Sequence, residues 1–226
     1  MEKITSYKHL KLTIGILLFG MIIGVLITIN VVLSWKIECD NLDAQFIIPK
    51  GASVRQVIDS LQVKSCNFNE TAFKAGLYLV GKTKSLFPGK YQLKGIRDIN
   101  DLIKRITAPS GEKIKVTIIE GWELYRIIEE IDSKMNVDSY KFTQLCNDHN
   151  YISTLDIHAP SLEGFLFPDT YYFLSSSLEE DIIETMVNMF KHHFSKSLHF
   201  MAKRREMSML EVVTMASIIQ GEAMYN

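Results

Sequence analysis

The sequence predicts an α+β protein in which two folded parts follow an N-terminal transmembrane helix. Two observations predict it. A long run without charged residues lies near the N-terminus, and beyond it short segments of alternating polar and apolar residues are interspersed with longer segments of helical periodicity. With 226 residues, the chain is long enough for one large domain or two small ones beyond the membrane segment.

The apolar run covers residues 12–35 and predicts a single membrane span. A helix of that length rises about 36 Å, which is enough to cross a bilayer with some tilt. Lys3, Lys8 and Lys11 precede the run and acidic residues follow it, so residues 1–11 form a cytoplasmic tail and the body lies outside. A cleaved signal peptide is the alternative, but the run exceeds an ordinary signal-peptide core and no small-residue cleavage site follows.

The charge of the chain predicts no nucleic-acid partner, because a net charge of −1 leaves no polybasic surface. No motif predicts a cofactor or a metal. The adjacent His192 and His193 point about 100° apart on a helix and cannot share an ion as an i, i+4 pair would. Cys39, Cys66 and Cys146 allow at most one disulfide and leave one thiol over, and the sequence does not indicate which pair forms.

Residues 41–110 predict a small mixed unit. AQFIIPKG alternates as a strand does, and Ser53 with Gln56 forms a capping box before a helix over Val54–Leu61. Asn69 begins a second helical pattern, FPGKYQLKG predicts a turn into a strand, and DLIKRIT predicts a third helix.

Residues 111–226 repeat this order on a larger scale. KIKVTII predicts a strand, EGW a turn and ELYRIIEEIDSKM an amphipathic helix, followed by a polar helix near Val137–His149. The aromatic stretch SLEGFLFPDTYYFLSSS predicts a rigid loop and a strand. Helices over Leu178–Phe200 and Met209–Ala223 complete the pattern.

The first candidate site residue is Glu222. On a helical period of about 100° per residue it shares a stripe with Ile218, Met215 and Glu211. Burial between apolar side chains would disfavour its charged form, and a protonated acid is what a general acid for glycosidic cleavage must supply. An ion pair with a neighbouring Lys or Arg, or a frayed helix end, explains the same residue without function.

The second candidate site is the stretch that contains Glu163, Asp169 and Tyr171. Aromatic faces stack on the apolar faces of sugar rings and carboxylates accept protons from hydroxyl groups, so this stretch suits a glycan-binding wall. A core strand after a capped turn is the alternative interpretation.

Five segments of the chain together resemble the YceG-like family of endolytic murein transglycosylases, the MltG type. In chain order they are IIPKGASVRQV, FPGKYQL, IIEGWELYRII, SLEGFLFPDTYYF and VVTMASIIQGEA. The resemblance implies a LysM-like module over residues 41–110 and a YceG-like catalytic domain over 111–226. It implies a single-pass enzyme of the cytoplasmic membrane, without cofactor, that cleaves the β-1,4 bond between N-acetylmuramic acid and N-acetylglucosamine in nascent peptidoglycan. Cleavage leaves 1,6-anhydro ends and terminates strand elongation, with the wall-synthesis machinery as a candidate partner.

By the same resemblance the catalytic acid falls on Glu222, while Glu163, Asp169 and Tyr171 shape the substrate cleft. The family pattern often carries a Glu where this chain has Gln220. Family members continue beyond the catalytic helix with a strand-rich segment, so the resemblance implies a catalytic domain truncated after that helix. This leaves a second function open, a membrane-anchored peptidoglycan-binding or scaffold protein without catalysis.

Overall fold

The structure of the chain is a computed structural model. It describes residues 2–41, 43–109, 111–135 and 137–224, and of residues 2–13 and 223–224 it describes the backbone alone. The chain divides into two compact units, Met1–Ser110 and Gly111–Asn226, which we call unit 1 and unit 2. Both combine helices with short antiparallel strand pairs, so the predicted α+β class is confirmed.

Helix α1 (Glu2–Leu33) opens unit 1, and its segment Ile14–Leu33 is long and apolar enough to cross a membrane. Most side chains of this segment are exposed, whereas Val32 and Leu33 at its end are half-buried and pack against the core of unit 1. A signal sequence would share the length and apolar composition of the segment. Within it, Thr28 and Asn30 donate hydrogen bonds of 2.8 and 2.9 Å to carbonyl oxygens four residues earlier. The hydrogen-bond donors of both side chains therefore have partners inside the helix, which is compatible with hydrocarbon surroundings.

The rest of unit 1 is built from short elements. They are β1 (Glu38–Cys39), β2 (Gln45–Ile48), α2 (Val54–Val63), β3 (Cys66–Asn67), α3 (Glu70–Leu79), β4 (Gly89–Gln92) and α4 (Ile99–Ile106). β1 pairs with β3 and β2 with β4, both antiparallel. In the second pair Phe46 lies opposite Tyr91, and their buried rings stack with centroids 5.5 Å apart.

Side chains cap the starts of α2, α3 and α4 in unit 1. Ser53 and Gln56 form the predicted capping box, in which the Gln56 N–H donates to Ser53 Oγ at 3.3 Å and the Ser53 N–H donates to Gln56 Oε1 at 2.8 Å. Asn69 and Asp98 cap α3 and α4. Each cap satisfies an N–H that a helix start would otherwise leave without a partner.

Unit 2 contains one strand pair and six helices within the described residues. Its elements are β5 (Lys113–Thr117), α5 (Leu124–Met135), α6 (Ser139–Asn147), α7 (His149–Thr154), β6 (Thr170–Leu174), α8 (Glu179–His193), α9 (Lys196–Arg204) and α10 (Met209–Met224). β5 and β6 are antiparallel, with Val116 opposite Tyr171. Both of these side chains enter a single core, which the helices complete.

Two predicted helices of unit 2 are each divided in the structure. The polar helix predicted near Val137–His149 is α6 followed by α7, because Asp148 ends the first and caps the second. The helix predicted over Leu178–Phe200 is α8 followed by α9. Ser195 accepts a hydrogen bond from the Leu198 N–H at 3.4 Å, and this new cap restarts the chain as a separate helix.

The structure pairs Cys39 with Cys66 in a disulfide that joins β1 to β3. Cys146 is the remaining thiol and is fully buried in the core of unit 2. Burial raises the pKa of the Cys146 thiol to about 12, and the nearby Glu163 charge adds to the effect. Because the thiolate is the reactive form, Cys146 is inert in the folded protein.

Ellman's reagent can count the reactive thiols of chain exported across a membrane. We expect no reactive thiol in the folded protein, one in the unfolded protein without reductant, and three in the unfolded protein after reduction. In the matched variant Cys146→Ser, the count in denaturant without reductant falls to zero. Three reactive thiols in unreduced, unfolded protein would contradict the assigned pairing.

Candidate functional site

Unit 2 contains a cavity of about 650 Å³ to which three segments contribute. They are the turn at Gly121–Glu123, the loop at Pro160–Gly164 and one face of α10. On α10 the lining residues are Leu210, Val213, Thr214, Ser217, Gln220 and Gly221. These positions recur at the three- and four-residue spacing that places side chains on one side of a helix.

Glu163 joins the loop of this cavity to the turn. Both of its carboxylate oxygens accept the backbone N–H of Leu124, at 3.1 and 3.2 Å. Leu124 is the first residue of α5, where backbone N–H groups lack partners within the helix and the helix dipole favours a negative charge. Glu163 therefore holds the start of α5 against the loop, while its side chain still lines the cavity.

Gly164 brings the same loop close to α10. Its backbone has φ of +79°, a conformation that favours glycine, and a Cβ at this position would lie 2.7 Å from Val213 Cγ1. A side chain at residue 164 is therefore disfavoured both by the backbone conformation and by the neighbouring helix. Glycine lets the loop line the cavity opposite α10 without this strain.

The remaining lining groups combine one aromatic ring with several polar side chains. Trp122 offers an indole ring, and the Arg126 guanidinium lies 5.0 Å from its centroid. Ser217 donates its hydroxyl to the Thr214 carbonyl at 2.8 Å, which leaves its oxygen able to accept a hydrogen bond. Gln220 adds an amide and Glu123 a second carboxylate. One aromatic wall with several polar groups is the composition that small-ligand sites share.

The predicted catalytic residue, Glu222, lies outside this cavity lining. It follows Gly221 on α10, and its side chain is exposed. The expected burial between Met215 and Ile218 is wrong for this structure, because these side chains are themselves 49% and 62% exposed. The periodicity correctly placed the three residues on one stripe, but no described element covers it.

Asp169 and Tyr171 also lie away from the cavity. Asp169 is exposed at the start of β6, and its Oδ1 accepts the Thr170 N–H at 2.7 Å. Tyr171 is only 4% exposed and donates its hydroxyl to the Phe167 carbonyl, and burial raises the pKa of that hydroxyl. A side chain so placed has no surface to offer a glycan, so the core-strand interpretation describes Tyr171 better.

Of the four predicted site residues, only Glu163 lines the cavity. Sequence reasoning did not single out Trp122, Ser161, Ser217 or Gln220 as site residues. The spacing of Val213, Ser217 and Gln220 on α10 was a usable pattern, but it indicates only a shared face. Among the residues that the structure describes, no group of three or more His, Cys, Asp or Glu side chains could hold a metal ion.

Comparison with known proteins finds similarity over most of the chain. The YceG-like family model matches residues 46–226. The chain is 28% identical over 193 residues to an endolytic murein transglycosylase of Bacillus subtilis (strain 168), covering 78% of this chain and 53% of that one. It is 23% identical over 211 residues to an endolytic murein transglycosylase of Streptococcus pneumoniae (strain D39), covering 77% of this chain and 36% of the relative.

The chain therefore spans between about a third and about a half of the length of these curated relatives. Among solved structures, a yceG-like protein from Listeria monocytogenes matches with a TM-score of 0.36 at 22% identity. That match covers 73% of this chain and 59% of the other.

The close approach of Gly164 to α10 gives a test of the cavity. We expect Gly164→Ala to lower the free energy of unfolding by about 2 to 4 kcal/mol, because the left-handed backbone and the contact with Val213 both oppose a methyl group. Urea unfolding of the chain in detergent, followed by circular dichroism, measures the loss.

Gly51→Ala is the matched control, since Gly51 has φ of +72° but no atom lies within 4 Å of the point that its Cβ would occupy, and we expect it to cost about 1 kcal/mol. The double variant Gly164→Ala/Val213→Ala should lose less free energy of unfolding than the sum of the losses of the two single variants, because removal of the Val213 methyl groups relieves the contact. Equal losses for Gly164→Ala and Gly51→Ala would show that the loop does not pack on α10 as described.

Proposed function

The chain belongs to the YceG-like family, and from that premise we propose that it is an endolytic murein transglycosylase of the cell envelope. The observation that carries the proposal is the cavity in which Trp122, Glu163 and Gln220 come together from three separate segments. An indole ring can stack on a pyranose, while the carboxylate and the amide can bind its hydroxyl and acetamido groups. The relatives named endolytic murein transglycosylase supply the polymer and the class of reaction.

In this proposal the cavity holds one part of a glycan strand and Glu222 acts on a bond beside it. Glu222 follows Gly221, which lines the cavity, but consecutive helical residues point about 100° apart, so the glycan strand would pass around α10 from the lining to reach the Glu222 side chain. The acid donates its proton to the oxygen of the β-1,4 bond between N-acetylmuramic acid and N-acetylglucosamine as that bond breaks.

The second half of the reaction returns the proton. The 6-hydroxyl of the N-acetylmuramic acid attacks its own anomeric carbon and gives its proton to the Glu222 carboxylate, which leaves a 1,6-anhydro end. Because the nucleophile belongs to the same sugar, its proximity replaces the water and the second carboxylate that glycosidases use. Glu163 positions the loop and the turn, and the exposed Asp169, just before β6, would contact a part of the glycan outside the cavity.

We also propose where the protein lies. In this proposal α1 anchors the chain in the cytoplasmic membrane, residues 1–11 lie in the cytoplasm and the two units lie outside. The Cys39–Cys66 disulfide supports the outside location, because disulfides persist in oxidising compartments. Residues 41–110 would then serve as a LysM-like glycan-binding module, 111–226 as part of the catalytic domain, and the wall-synthesis machinery as a partner.

One observation favours a second candidate, a membrane-anchored murein-binding or scaffold protein without catalysis. The stripe of α10 that carries Glu222 is exposed, and Glu222 does not line the cavity with Glu163. A general acid for glycosidic cleavage ordinarily lies where its carboxyl group is shielded from water. The cavity could then bind a strand without cleaving it.

Substitution of the proposed acid separates the two candidates. We expect Glu222→Gln to lower the release of anhydro-ended fragments from purified murein by at least about 100-fold, because the amide cannot donate and recover a proton. Mass spectrometry of the soluble products measures the release, and the melting temperature checks the fold.

Glu129→Gln is the matched control, since Glu129 is another exposed glutamate of unit 2 and does not line the cavity. It should release fragments at the parental rate. If Glu222→Gln does so too, Glu222 is not the acid. If the parent chain binds murein but releases no fragments, the scaffold function is the correct one.

A further inference from the structure

The β5–β6 pair presents a solvent-exposed face on the side opposite the core. The antiparallel register places Lys115 opposite Tyr172 and Thr117 opposite Thr170, and Lys113 precedes them on the same face. All five side chains are exposed, whereas the alternate residues of both strands point toward the core. We call Lys113, Lys115, Thr117, Thr170 and Tyr172 the outer strip.

The outer strip is positively charged. Lys113 and Lys115 are two residues apart on one strand, so their Cα atoms lie about 7 Å apart and their side chains project in the same direction. Neither lysine forms an ion pair with any carboxylate in the described part of the chain. Two neighbouring like charges without partners repel each other, so an anionic ligand would be bound favourably here.

Tyr172 gives the strip an aromatic surface. Its side chain is 65% exposed although it lies directly opposite Lys115, whose aliphatic stem could have covered the ring. The preceding residue, Tyr171, is only 4% exposed, so of these two adjacent tyrosines one packs in the core and the other lies on the surface. Beside the ring, the Thr117 and Thr170 hydroxyl oxygens lie 3.1 Å apart and add hydrogen-bonding groups.

We propose that the outer strip is a second glycan-binding surface, separate from the cavity, that takes murein strands whose peptide substituents carry free carboxylates. The proposal rests on the proposed function for the identity of the polymer. Tyr172 stacks on a pyranose ring, and Lys113 and Lys115 pair with carboxylates of the peptides attached to neighbouring sugars. A polyol phosphate of the cell wall would satisfy the lysines but has no ring for Tyr172, so the strip fits murein better.

Binding of the full chain in detergent to insoluble murein tests this surface. The murein is first treated with hydrofluoric acid, which removes attached phosphate polymers. We expect Lys113→Gln/Lys115→Gln to weaken binding by about three- to tenfold at about 0.05 M salt, with the difference vanishing near 1 M. Tyr172→Thr keeps a residue with strand propensity, removes the ring, and should weaken binding about two- to tenfold at both salt concentrations.

Two controls isolate the charges of the strip. Lys196→Gln/Arg204→Gln makes the same change in net charge on α9, where both residues are exposed and without an ion pair among the described residues, and should bind as the parent does. Murein whose carboxylates have been amidated should bind the parent and Lys113→Gln/Lys115→Gln equally. All variants should keep the parental melting temperature.

The outcomes separate this proposal from the proposed function. If Lys113→Gln/Lys115→Gln binds acid-treated murein as tightly as the parent, or if binding requires the phosphate polymers, the outer strip is not a murein surface. Release of anhydro-ended fragments is scored on the same samples. Fragment release with unchanged binding overturns the strip alone, whereas weakened binding by a chain that releases no fragments overturns catalysis and supports the strip.

Discussion

The pairing of β5 with β6 is the constraint on which unit 2 depends. The two strands are far apart in sequence. Backbone hydrogen bonds extend their pairing at both ends, from the Ile118 N–H to the Asp169 carbonyl at 2.9 Å and from the Ser175 N–H to the Glu112 carbonyl at 2.8 Å. The register also decides which face each side chain takes. A slip of one residue would move Tyr171 to the surface and Tyr172 into the core.

This pairing also creates the two surfaces to which we assign function. The turn that carries Trp122 follows β5 and the loop that carries Glu163 precedes β6, so closing the ladder brings the turn and the loop to the same end of the sheet. The hydrogen bonds from Leu124 to Glu163 then fix the distance between them. The outer strip is the reverse face of the same sheet, and its composition can vary without disturbing the core.

Local patterns in the sequence predicted local structure well. The Ser53–Gln56 capping box forms as expected. Ser208 and Glu211 form a second capping box at the start of α10, and hydrogen bonds from Ser208 hold the pKa of the Glu211 carboxyl below its usual range. The features that the sequence did not predict depend on contacts between residues far apart in the chain. Periodicity placed Glu222 on one stripe with Ile218 but could not say whether anything covers that stripe. The disulfide was unreadable because the partner of Cys39 is set by the pairing of β1 with β3.

The two glutamates that both the resemblance and the residue chemistry singled out, Glu163 and Glu222, have different surroundings in the structure. Both carboxylate oxygens of Glu163 accept the first backbone N–H of α5, which fixes the position of this side chain. A carboxylate held as an acceptor in this way is suited to position the loop and to accept a hydrogen bond from a hydroxyl group. A general acid must instead direct a proton at the bond that breaks and take one back from the attacking hydroxyl. Glu222 lies on α10, one residue beyond Gly221 of the cavity lining. In the function that we propose, Glu222 transfers the proton and Glu163 positions the loop, so a change at Glu163 should alter substrate binding and stability before it alters the chemistry.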